Sequence, residues 1–126
     1  MAGVLHSWLA VGAAVLITAP YWVSALNKAL NFPAAVREAQ TLNIPLPQLV
    51  MAGVVCLQAA ASLCLILGVW VWLWVAALGT FTLAASCLAH GFWRYSGSDR
   101  DAKLNAFLAN MGLIGGLILL GITATP

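Results

Sequence analysis

The stretch that decides the fold is Leu49–Ala89, "LVMAGVVCLQAAASLCLILGVWVWLWVAALGTFTLAASCLA", which contains no charged residue. It is too long for one membrane crossing, which takes about 20 mostly apolar residues. It is also too uniform for a strand, because apolar and polar residues do not alternate along it. Divided at Gly68, it leaves about 20 residues on either side, one crossing each. The reading is therefore two spanning helices joined by a tight turn.

Two further spans flank the pair. "WLAVGAAVLITAPYWVSAL" (Trp8 to Leu26) lies before it, and "FLANMGLIGGLILLGITA" (Phe107 to Ala124), begun a turn earlier near Lys103, lies after it. The rest of the composition agrees. Of 126 residues, 63% are hydrophobic and 6% charged, where a soluble domain carries roughly 25% charged residues. Isolated strands cannot satisfy their backbone in lipid. The sequence thus predicts an all-α protein: a single domain over 1–126, built as a four-transmembrane-helix bundle. The helices are expected over about 8–31, 48–68, 70–93 and 104–124. No basic stretch precedes the first apolar segment, so a cleaved signal peptide is not expected.

All five basic residues, Lys28, Arg37, Arg94, Arg100 and Lys103, fall in or beside the first-to-second and third-to-fourth connections. The positive-inside rule makes that face cytoplasmic and puts both termini outside. Trp8, Trp70, Trp72 and Trp74 would mark one membrane interface, and Trp22, Trp93 and Tyr95 the other. The first connection, "NFPAAVREAQTLNIPLP", is more than a linker. Pro33 is placed to open a helix, and Pro45 and Pro47 to stop one. Val36, Ala39 and Leu42 share a face opposite Arg37, Glu38 and Thr41, the pattern of a short amphipathic interfacial helix. The plainer reading is a surface segment that covers the bundle.

Polar residues inside the spans recur at helical spacing: Thr18, Tyr21, Ser24 and Lys28 in the first, Gln58 and Ser62 in the second, Thr82, Ser86 and His90 in the third. Trp93 extends the third stripe, and Asn110 in the fourth shares a face with Lys103. Residues so spaced meet on one side of a helix, and polar groups at membrane depth turn inward. The expectation is a polar pocket towards the charged face, with Lys28, Gln58, His90, Trp93 and Asn110 as candidate ligand-binding residues. Each has a structural alternative. Serine and threonine bond their own backbone, Gln58 and Asn110 act as interhelical glue worth about 0.6 kcal/mol, and Lys28 snorkels to the headgroups. His90 either walls the pocket or caps the third helix. Gly112 and Gly116 form a small-xxx-small pattern for close helix packing.

No catalytic residue is assigned. Cys56 and Cys64 lie too far apart on one helix for a disulfide of normal geometry, and Cys87 stands alone on the next. Two histidines without a nearby carboxylate argue against a metal site, and His6 and His90 would lie at opposite faces, which excludes joint haem ligation. No resident cofactor is predicted, with quinone as the candidate exception. Expected partners are membrane lipid and either other membrane subunits or further copies of the chain, not nucleic acid.

In order along the chain, "SALNK…F", "TLNIPLP", "CLQAAASLCLILG", "AHGFW" and "FLANMGLIGGLILL" resemble the DoxX family of small bacterial membrane proteins, from about Ser24 to Gly121. The resemblance singles out Lys28, the Pro45–Pro47 turn, His90, Trp93 and Asn110. It also implies a glutamate where this chain has Gln58, which removes an acidic group from the expected pocket. By the resemblance the chain is an inner-membrane accessory subunit of a redox complex, contacting quinone or lipid in the pocket. The alternatives are a catalytic subunit of a thiosulfate:quinone-type oxidoreductase and a small transporter or lipid-binding protein.

Overall fold

Helix formation follows the apolar runs, and the turns follow the prolines and glycines. The computed structural model describes the backbone of Ala2–Ala124 and side chains from Ser7; His6 as a ligand and the ends at Met1 and Pro126 lie outside the described residues. The described elements are α1 (Ala2–Leu30), α2 (Phe32–Thr41), α3 (Pro47–Leu67), α4 (Val71–Ala89), a single 3₁₀ turn (Phe92–Arg94) and α5 (Gly97–Ala124). Among the described residues, four segments are long and apolar enough to cross a membrane: Ser7–Leu30, Pro47–Leu67, Val71–Arg94 and Gly97–Ala124. The chain is an all-helical, four-span membrane protein, with an amphipathic helix between the first two spans.

The boundaries differ from the expected ones where polar residues are helical. α5 begins at Gly97 instead of near residue 104. Its first turn is polar, carries Asp99 at the positive end of the helix dipole and is closed by the bond from Arg100 N–H to the Ser96 carbonyl. α4 ends at Ala89 instead of 93, and the chain continues through the 3₁₀ turn.

The chain divides into two compact units, one ending at Trp74 and the other starting at Val75. In the first, α1 and α3 pack along each other and α2 rests on both. Proline at the second position opens α2, whose buried residues are Ala35, Val36 and Ala39. They form a small core with Met51 of α3, flanked by Phe32, Ile44, Val50 and Val54. Arg37, Glu38, Gln40 and Thr41 stay exposed. The amphipathic pattern thus has its apolar face on α3.

Leu46, between the two prolines, sits in the left-handed region (φ 48°) at the start of α3. Gly68 ends α3 at φ 76°, with Val69 N–H on the Cys64 carbonyl (2.8 Å) and Gly68 N–H on that of Leu65 (3.3 Å). That is the Schellman pair of bonds, for which glycine carries no Cβ penalty. Pro20 in α1 leaves the Leu16 carbonyl without its helical donor. The neighbouring Val15 carbonyl accepts from the Trp22 indole N–H and lies on the longer arm of a hydrogen bond that the Thr18 hydroxyl shares with Ala14, both at 3.3 Å. In the second unit α4 and α5 are linked by a hydrogen bond between side chains, Asn110 to Ser86. A Cβ on Gly79 would lie 4.0 Å from Ile114, an ordinary contact.

Candidate functional site

Polar groups gather in two places, one in each unit. In the first unit, α1 presents Pro20, Val23, Ser24, Asn27 and Lys28, related by steps of three and four and hence on one face, and Asn31 follows at the junction with α2. These residues, with Ala34, Ala35 and Glu38 of α2, line an open cleft of about 470 Å³. Lys28 lies in the last turn of α1, where a cation is favoured by the helix dipole. Its ammonium donates to the Ser24 hydroxyl at 2.5 Å. The small side chains of Ala34 and Ala35 leave the cleft room, and Asn31 opens α2 without a side-chain capping bond.

Deeper in the same unit, Thr18, Gln58 and Ser62 are buried. The Thr18 hydroxyl donates to the Ala14 carbonyl one turn back at 2.7 Å, a purely local bond. Gln58 Oε1 and Ser62 Oγ, one turn apart on α3, are enclosed with no hydrogen-bond partner among the described residues. Gln58 does not line the cleft.

The second unit holds the other candidates. Asn110 Nδ2 donates to Ser86 Oγ at 2.9 Å, and Ser86 Oγ donates to the Thr82 carbonyl at 2.6 Å. This relay ties α5 to α4 beneath the end of α4. That end is closed by two cations. Arg94 Nη2 donates to the Cys87 and Leu88 carbonyls at 2.9 and 2.8 Å, and Lys103 Nζ to that of Ala89 at 3.1 Å. His90 contributes its backbone N–H to the Ser86 carbonyl. The last carbonyls of α4, which could have called for an imidazole cap, are thus taken by Arg94 and Lys103.

Around this end stands an aromatic cluster. Phe92, Trp93 and Phe107 meet pairwise edge to face, with centroids 5.3–5.9 Å apart. Arg94 lies over Trp93, Arg100 over Phe92 and Lys103 over Tyr95, each a cation–π pair. Trp93 is 55% exposed, so its ring is offered outward.

Of the five candidates, then, Lys28 lines the cleft and Gln58 lies within α3 of the same unit. Asn110, His90 and Trp93 belong to the α4–α5 hairpin. Sequence reasoning missed Glu38, which was read as a member of a solvated face, and Arg94 and Lys103 as helix-closing groups. The "NKALNFPAAVRE" spacing signals the first, because Glu38 follows Ala34 by one turn and Ala34 sits at the α2 start. Gly91 signals Arg94, because a Cβ there would meet the guanidinium. Among the described residues, no three His, Cys, Asp or Glu side chains cluster as metal ligands would, and Cys56, Cys64 and Cys87 are free thiols.

Comparison with known proteins places these features in a family. The family model DoxX matches residues 13–91, which covers Lys28, Gln58 and His90 and stops before Trp93 and Asn110. A similar curated protein is the Escherichia coli (strain K12) inner membrane protein YphA, 24% identical over 96 residues, covering 76% of this chain and 69% of that one. No solved structure matches.

Proposed function

Because this chain belongs to the DoxX family of membrane proteins, we propose that it is a non-catalytic accessory subunit of an inner-membrane redox complex, offering a quinone or lipid contact at the α4–α5 hairpin. The observation that carries this reading is the exposed Trp93, held at the end of α4 against Phe92 and Phe107 with Arg94 over its ring. An imidazole at the edge of the span can donate to or accept from a quinone carbonyl or a lipid head. The exposed Trp93 indole beside it can stack on a ring, worth about 0.5–1.5 kcal/mol beyond the area buried. Asn110, through Ser86, fixes α5 against α4 below.

The test is a pair of variants, His90→Ala and His90→Gln, purified gently from the native membrane and assayed for co-purifying quinone, lipid and protein. Both are expected to fold as wild type does. His90→Ala should retain less than about a tenth of the bound molecule, a loss of about 1.4 kcal/mol or more. Gln, which still donates and accepts, should recover part of it. Full retention by both, with a change in thermal stability alone, would return His90 to a structural role.

In this reading the basic connections face the cytoplasm and both termini face outward, since none of the five Lys and Arg residues lies elsewhere. A reporter active only in the cytoplasm should then be silent when fused after Pro126 and active when inserted between Ser96 and Asp99. The reverse pattern would invert the topology.

A further inference from the structure

The cleft of the first unit is graded along its length. Its α1 face runs from Pro20 and Val23, both apolar, to Ser24, Asn27 and Lys28, a rise of about 12 Å at 1.5 Å per residue, with Asn31 beyond it. At the polar end it meets the first turns of α2, with two features of opposite sign. Lys28 supplies the positive charge there, its ammonium held on the Ser24 hydroxyl. One turn further along α2, the exposed carboxylate of Glu38 closes the same cleft. An apolar end, a cationic stretch and then an anionic wall describe an amphiphile whose head carries a phosphate with an ammonium beyond it. A neutral quinone would leave both charges unmatched, and an anionic head without an amine would be repelled by Glu38.

We propose that this cleft binds the head of a zwitterionic phospholipid of the ethanolamine type. The phosphate lies at Lys28, the ammonium at Glu38, and the glycerol and upper acyl carbons along Val23 and Pro20. This site is separate from the hairpin contact, and neither depends on the other.

The test is lipid retention by the full chain, measured by native mass spectrometry after titration with phosphatidylethanolamine, phosphatidylglycerol or soluble glycerophosphoethanolamine. Wild type is expected to retain phosphatidylethanolamine at least fivefold better than phosphatidylglycerol, and to bind the soluble head weakly. Glu38→Gln should abolish that preference without reducing phosphatidylglycerol. Lys28→Met, which keeps the aliphatic stem, should weaken both lipids. Arg37→Gln, which removes a charge from α2 outside the cleft, should match wild type. Equal retention of the two lipids by wild type, or an unchanged preference in Glu38→Gln, overturns the proposal. Equally tight binding of the soluble head would overturn the assignment to a lipid.

Discussion

Gly91→Ala is expected to destabilise the protein by about 2 kcal/mol, through a side chain three residues away. Gly91 is buried, and its φ of −71° is open to any residue. Conformational freedom is therefore not why glycine stands there. A Cβ at this position would lie 2.5 Å from Arg94 Nη2, 2.7 Å from its Cζ and 3.0 Å from the Cys87 carbonyl oxygen. The guanidinium can swing away, but only by giving up its bonds to the Cys87 and Leu88 carbonyls. Hydrogen bonds to charged groups contribute about 1.5–3 kcal/mol each when shielded from solvent, and the two here are discounted to about 2 kcal/mol together because Arg94 is exposed. The measurement is reversible unfolding in mixed micelles of wild type, Gly91→Ala, Arg94→Ala and the double variant. Since the two single changes remove the same bonds, the double variant should cost little more than either. Gly79→Ala is the control, with only the 4.0 Å contact to Ile114 in its way, and should be near neutral. Full additivity of Gly91→Ala and Arg94→Ala would show that the glycine serves something other than the guanidinium.

The same local geometry explains which parts of the molecule were legible in the sequence. The spans were, because their cause is a one-dimensional quantity, the run of apolar residues between charges. The Gly68 turn and the α2 face were legible too, since a left-handed helix end and a three-to-four spacing each leave a residue-level mark. The ends of α4 and α5 were not. α5 continues through Asp99, Arg100 and Asp101, which no hydropathy window reads as helix. α4 stops early because Arg94 folds back onto its carbonyls, an interaction between residues seven and six apart that the helical stripe of His90 and Trp93 does not encode. Of the polar stripes, the one through Ser86 does meet Asn110 on the facing helix. Lys28 and Glu38 could not be joined from sequence, because their proximity to one cleft depends on how the chain turns at Asn31.

Gln58→Leu is expected to stabilise the protein by about 1–3 kcal/mol, the desolvation cost of a buried polar group left without a partner. Gln58 is 4% exposed, and its Oε1 has no partner among the described residues, nor has Ser62 Oγ one turn on. In hydrocarbon no solvent can compensate such atoms. Leucine is close enough in bulk that little packing should be lost. Ser62→Ala should move stability in the same direction by less, because its hydroxyl is smaller and can turn to its own backbone. Gln58→Glu should act oppositely. The resemblance noted above implies a glutamate here, yet a carboxylate would bring charge to a position where this chain offers no cation within α3, and it would have to be held neutral. The two Gln58 variants therefore bracket wild type, with Leu above it and Glu below it in unfolding free energy at neutral pH. The Glu variant should recover as the pH falls and its carboxyl protonates. If Gln58→Leu is instead destabilising, Oε1 has a partner in the membrane, a water or a bound molecule. Comparison of co-purified lipid and quinone between Gln58→Leu and wild type then tells which, because only loss of a bound molecule removes mass from the native complex beyond the substitution itself.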